Sequence, residues 1–118
     1  MVTWQELYRK IDKKIEVGTA VPKAVDGTRV VTKKEGDRIY MRTGVETTAE
    51  KYITKEMLQY AYKIIKSGKP FTSKDLKTRF PKEYSQGSCV FSMTGGIFVL
   101  LGIAKYIRRT GYILAEGK

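Results

Sequence analysis

Five cations in the C-terminal half are the residues whose type and spacing most directly suggest chemistry. Lys74 and Lys77 stand three apart, and Lys105, Arg108 and Arg109 crowd the word Lys105-Tyr106-Ile107-Arg108-Arg109. A guanidinium presents a planar fork of donors and an ammonium a compact point charge, and both match the oxygens of a polyanion. Between the two groups, Tyr84 to Ala104 carries no charge, but Ser85, Gln86, Ser88 and Ser92 can each donate or accept a hydrogen bond. The formal net charge of +11 is unevenly placed: residues 1–50 hold 10 basic and 8 acidic side chains, residues 51–118 hold 13 and 4. A concentrated excess of this kind implies an anionic partner, whereas an even spread implies only solubility.

Other chemistries are curtailed. Histidine is absent and Cys89 is the only cysteine. No disulfide partner, Cys/His zinc cluster or imidazole base is therefore expected, and Cys89 reads as a small buried apolar residue. Asp26, Glu35 and Asp37 could serve a magnesium-dependent nuclease, but they fall in turn segments where acids are common anyway. The expectation is a protein that is not an enzyme and has no metal or cofactor. The apolar run Ile97 to Ala104 is far short of the ~20 residues that span a bilayer. The N-terminal residues lack a secretory pattern, so no membrane partner and a cytoplasmic, nucleoid-associated location are expected. Asparagine is absent and glutamine occurs three times, as where thermolabile amides are avoided in a thermophile.

These residues need elements to hold them. At 118 residues the chain supports one core and is expected to be one compact unit, with 1–50 as an extension and 51–118 as the domain proper. Thr3 and Glu6 form a capping-box pattern ahead of Trp4, Leu7, Tyr8, Ile11 and Ile15, predicting a helix from Trp4 to about Glu16. Gly18 to Gly27 reads as a connection. Arg29 to Thr32 and Arg38 to Arg42 flank Lys34-Glu35-Gly36-Asp37 and predict a hairpin, with Ile39 and Met41 on the packed face and Arg38, Tyr40 and Arg42 on the other. Lys33, Lys34, Arg38 and Arg42 then form an exposed face, where Tyr40 packs or stacks on nucleic acid. Residues 44–51 read as a linker.

Thr54 caps a second helix with the stripe Met57, Leu58, Ala61, Ile64 and Ile65. Phe71 is extended, Thr72 or Ser73 caps a third helix carrying Leu76 and Phe80, and Pro81 stops it. After a loop from Lys82 to Gly87, Val90, Met93, Ile97, Leu100, Leu101 and Ala104 predict a last helix. Its Gly95-Gly96 pair costs roughly 1 kcal/mol per glycine relative to alanine. The pair therefore requires a packing reason or a later helix start. A hairpin brackets Thr110-Gly111, with Arg108 and Arg109 at its tip.

The order helix, extended piece, helix, loop, helix, basic hairpin from Ile53 to Glu116 resembles the winged-helix superfamily of DNA-binding domains. Phe71-Thr72-Ser73-Lys74-Asp75-Leu76 looks like that family's entry to its second helix. Leu100 to Ile103, followed by Tyr106 to Leu114, looks like its third-helix exit and wing. The resemblance implies an α+β fold, a C-terminal winged helix preceded by a helix and a β-hairpin. It also implies double-stranded DNA as partner, with the third helix in the major groove and the wing on phosphates. Carried over, the nucleic-acid-binding residues are Lys74, Lys77, Ser85, Gln86, Ser88, Ser92, Lys105, Arg108 and Arg109. The third helix lacks Arg, Lys and Asn for bidentate base contacts, so low or shape-based specificity is expected of such a regulator. The competing expectations are a protein-interaction module using the uncharged helix, an RNA-binding protein, and the nuclease above. Homodimerisation would suit paired half-sites.

Overall fold

A computed structural model of the chain describes residues 3–24, 27–42 and 50–115. Among these, helices and antiparallel strands mix as an α+β fold. Helix α1 (Trp4–Lys14) begins where the Thr3 hydroxyl accepts the Glu6 amide, and it buries Leu7 and Ile11. It ends two residues short of the predicted Glu16, with Ile15 as its cap and still buried.

Strands β1 (Ala20–Pro22), β2 (Thr28–Glu35), β3 (Arg38–Arg42) and β4 (Glu50–Thr54) form one antiparallel sheet in chain order. Two of these strands differ from the expectation. β1 lies in the presumed connection, too short for alternation to register, and its Pro22 suits an edge because it lacks an N–H for a ladder. β4 takes in the last two residues of the expected linker at 44–51; residues 44–49 of that linker lie outside the described residues. The β2–β3 hairpin is as expected, but its register shifts at Thr32: Val31 faces Met41, and Lys33 faces Tyr40. An extra residue in one strand flips the faces of those beyond it. Lys33 therefore joins Arg38, Tyr40 and Arg42 on one face. Lys34 turns to the other, where its ammonium bonds the Asp12 carbonyl at 2.8 Å and pairs with the Asp12 carboxylate at 3.1 Å.

Thr54 caps α2 (Lys55–Lys66), accepting the Met57 amide at 3.2 Å. Thr72 caps α3 (Ser73–Arg79) with a reciprocal bond to Asp75. Pro81 ends α3 but also starts a short helix, α4 (Pro81–Tyr84), in the expected loop. Proline fits a first helical position, where an N–H would be unpaired in any case. Helix α5 (Cys89–Leu100) is followed by β5 (Ala104–Ile107) and β6 (Gly111–Leu114), a two-stranded sheet. Leu101 and Ala104 fall outside α5 because Gly102 takes φ +75° and the Ile103 amide bonds back to Phe98 at 2.9 Å. This wraps the helix end, and Ala104 opens the next strand.

Leu7, Val31, Met41, Met57, Leu58, Ile65, Met93, Ile97 and Phe98 belong to a single buried cluster joining α1, the larger sheet, α2 and α5. Helix α5 runs through its middle, against α2, β1, β4 and β5. The glycine pair has its packing reason here. A Cβ on Gly95 would lie 2.1 Å from the Tyr112 ring, and one on Gly96 would lie 2.4 Å from the Pro22 carbonyl oxygen. The helix therefore starts at Cys89 and keeps both glycines, one closing on β6 and the other on β1.

Candidate nucleic-acid interface

The tip of the C-terminal hairpin is fixed to the start of α3 by backbone. The Phe71 amide donates to the Tyr112 carbonyl at 2.8 Å and the Tyr112 amide to the Phe71 carbonyl at 2.9 Å, so Phe71 acts as a one-residue third strand beside β6. Gly111 makes this approach feasible: its φ is +119°, and a Cβ there would meet the Phe71 carbonyl oxygen at 2.4 Å. The rings of Phe71, Phe91, Tyr106 and Tyr112 lock the junction, with centroids 5.1 to 6.4 Å apart. Thr72 and Ser73 from α3, Phe91 from α5 and Tyr106, Arg109, Thr110 and Gly111 from the hairpin line a cleft of about 200 Å³.

Arg109 holds φ +66°, and among the described residues it is the only non-glycine with a positive φ. That conformation costs an L-residue roughly 1–2 kcal/mol. It aims an arginine from a turn position where glycine would be easier.

Lys74 and Lys77 on α3 and Lys105, Arg108 and Arg109 on the hairpin are all exposed. None of them pairs with a described carboxylate, since the ion pair described is Lys34 with Asp12. Asp75, the acid between the two lysines, bonds the Thr72 amide at 2.9 Å and the Thr72 hydroxyl at 3.0 Å. Its charge serves the cap of α3. Among the described residues, the five cations are thus open to an external anion.

The uncharged residues fare differently. Ser88 is exposed at the N-cap of α5 and makes no side-chain cap bond. Ser85 is exposed, with its hydroxyl donated to the Lys82 carbonyl. Gln86 is half-buried and fully engaged: its carbonyl accepts the Tyr52 amide at 2.9 Å, and its amide donates to the Tyr52 carbonyl at 2.9 Å and to the Glu83 carbonyl at 3.0 Å. The donor and acceptor pair that would suit an adenine edge is matched here to the free edge of β4. Ser92, expected at the surface, is 8% exposed. Its hydroxyl accepts from Arg29 Nη1 at 2.8 Å and donates to the Cys89 carbonyl at 3.1 Å. Helix α5 faces its own core along most of its length because its residues are apolar or small on every side, which leaves no polar face for a groove. The glycine-rich surface that could have received a partner chain is filled by Tyr112, Val21 and Pro22.

Beneath the first turn of α5 lies an unusual polar group. Arg29 is half-buried, and burial lowers its pKa below the ordinary arginine value. Its Nε and the hydroxyl of fully buried Tyr112 find no hydrogen-bond partner among the described residues. Burial pushes the Tyr112 hydroxyl pKa upward, so it stays neutral well past its ordinary range. The Ser92 bond is the described side-chain tie that holds this guanidinium.

The cationic face expected on the first hairpin is present in altered form, without Lys34 and with Tyr52 added from β4. On the side of the larger sheet away from the helices, the Tyr40 and Tyr52 rings lie opposite each other, with centroids 5.6 Å apart. Lys33 stands 4.3 Å over the Tyr40 ring and Arg38 stands 4.2 Å over Tyr52. Alternation along the strand is enough to assign Tyr40, Arg38 and Arg42 to this face. Lys33 reaches it through the register shift, and Tyr52 belongs to the strand that the sequence hides.

Asp26 lies outside the described residues. Among the described residues, no group of three His, Cys, Asp or Glu side chains could hold a metal ion. Cys89 is a partly exposed free thiol, and no helix among the described residues is long and apolar enough to cross a membrane. Comparison with family models, curated proteins and solved structures returns no match.

Proposed function

We propose that this chain is a winged-helix-type protein that binds double-stranded DNA through α3 and the β5–β6 wing, with low sequence specificity. The carrying observation is a set of five exposed cations, none paired with a described carboxylate, on two elements that the Phe71–Tyr112 backbone pairing ties together. The order α2, Phe71, α3, α4, α5, β5, β6 supports the winged-helix reading, with the four-residue α4 as an addition in the loop and Phe71 in the place of the small sheet's first strand. The docking mode differs from the usual one. Because α5 is committed to the core, affinity comes from phosphates met by Lys74, Lys77, Lys105, Arg108 and Arg109, and the exposed Ser85 and Ser88 ahead of α5 are the remaining candidates for a groove contact. Phosphate contacts fix register without reading sequence.

Binding of a duplex across a salt series tests this. Removing one phosphate-binding cation should flatten the slope of log affinity against log salt by roughly 0.9. Arg108→Ala with Arg109→Ala is therefore expected to reduce the slope by roughly 2 and to weaken binding about tenfold at low salt. An unchanged slope, or wild-type affinity no better than that of a charge-matched control protein, defeats the reading.

A further inference from the structure

We infer that the open face of the larger sheet is a second nucleic-acid site, a stacking platform for a single strand built on Tyr40 and Tyr52. It is independent of the wing, lying on a different sheet and on different residues.

Three observations converge. The two tyrosines are cross-strand neighbours in the middle of the sheet, partly exposed rather than buried, so their rings are accessible without unfolding anything. Three exposed cations, Lys33, Arg38 and Arg42, share that face. Two acids share the face, Glu35 across from Arg38 and Glu50 across from Arg42, but neither forms a described ion pair, and Glu50 instead accepts a hydrogen bond from Thr32. Rings for bases, interleaved with cations for phosphates, are the pattern of sequence-tolerant single-strand binding. A duplex would not use it, because its bases are already stacked and its outer surface offers the rings only sugar and phosphate.

In the free protein the ring faces carry their own cations, Lys33 on Tyr40 and Arg38 on Tyr52, and Arg38 also donates to the Tyr40 hydroxyl at 3.3 Å. Magnitudes decide whether a base can take their place. An exposed cation over a ring favours the contact by roughly two- to fivefold, and a base stacked on an aromatic side chain by roughly five- to a hundredfold. The base wins. The displaced ammonium and guanidinium then lie one side-chain length from the strand's phosphates, so their charge is reused. The register shift at Thr32 is part of the device, because without it Lys33 would point to the core side.

Labelled single strands of about 15 nucleotides, oligo(dT) and oligo(U), and a duplex of equal length test the platform by fluorescence anisotropy at low salt. Tyr40→Ala with Tyr52→Ala is expected to weaken single-strand binding by more than about tenfold and to leave duplex binding within about twofold. Tyr40→Phe with Tyr52→Phe should retain single-strand binding, since the ring is what matters. Arg108→Ala with Arg109→Ala should do the reverse, reducing duplex more than single-strand affinity. Comparing dT with U arms identifies whether DNA or RNA strands are preferred, and the platform stands in either case. In wild-type protein, which avoids any question of variant folding, photocrosslinking of an iodouracil strand should mark peptides containing Tyr40 or Tyr52. Adducts confined to wing peptides, or equal weakening of duplex and single-strand binding in the alanine variant, would overturn the proposal.

Discussion

Helix α3 spans seven residues and carries Lys74, Lys77 and Arg79, whereas α5 spans twelve and carries no charge. Only α4 and a short turn separate them in the chain. α3 buries one residue, Leu76, and holds its shape through the Thr72–Asp75 cap; α5 is buried along most of its length and holds its shape through packing. The winged-helix resemblance implies that the later helix meets a ligand. Burial says otherwise: the helix with polar exposure is the one available, and the helix without it is scaffold.

Gly95→Ala should have the largest effect on this contrast. On an exposed helix this change would stabilise by roughly 1 kcal/mol through propensity. Here the new methyl meets the Tyr112 ring at 2.1 Å, and that ring is held by Phe71, Phe91 and Tyr106. A destabilisation of about 3 kcal/mol, on the order of 10 °C in Tm, is expected by thermal melting. A melt at or above wild type would mean that α5 is not the packed element described. Next in size is Ser92→Ala, which strips the half-buried Arg29 of its side-chain partner. About 1–2 kcal/mol of stability should go, with duplex affinity unchanged; weakened DNA binding at equal stability would return Ser92 to the interface. The smallest effect belongs to Arg109→Gly, which removes a charge and a strained backbone together. Stability should rise by about 1 kcal/mol while duplex affinity falls several-fold. A rise in stability with no change in affinity would make the wing tip an ordinary turn.

How far these features can be read from residue order depends on the range of the interaction that specifies them. Caps at Thr3, Thr54 and Thr72 and the apolar stripes of α1 and α2 are set by neighbours within a turn, and each helix starts where its cap predicts. The exposure of Lys74, Lys77, Lys105, Arg108 and Arg109 follows from charge alone. Ser92 and Gln86 depart from expectation because nothing local distinguishes a hydroxyl or amide facing solvent from one facing Arg29 or Tyr52, which lie 63 and 34 residues away. The glycine pair is readable as a question but not as an answer, since Tyr112 and Pro22 belong to distant strands. The sheet-face surface depends on a one-residue slip at Thr32, and no periodicity can flag a break in its own phase.

Gln86 carries one more consequence. β4 ends the four-stranded order, and a terminal strand ordinarily offers unpaired amides and carbonyls to any passing chain. At Tyr52 both groups are already answered by one carboxamide, which imitates a fifth strand one residue long. A basic chain gains from this in colloidal terms, because at this position the strand border is closed to edge-to-edge pairing.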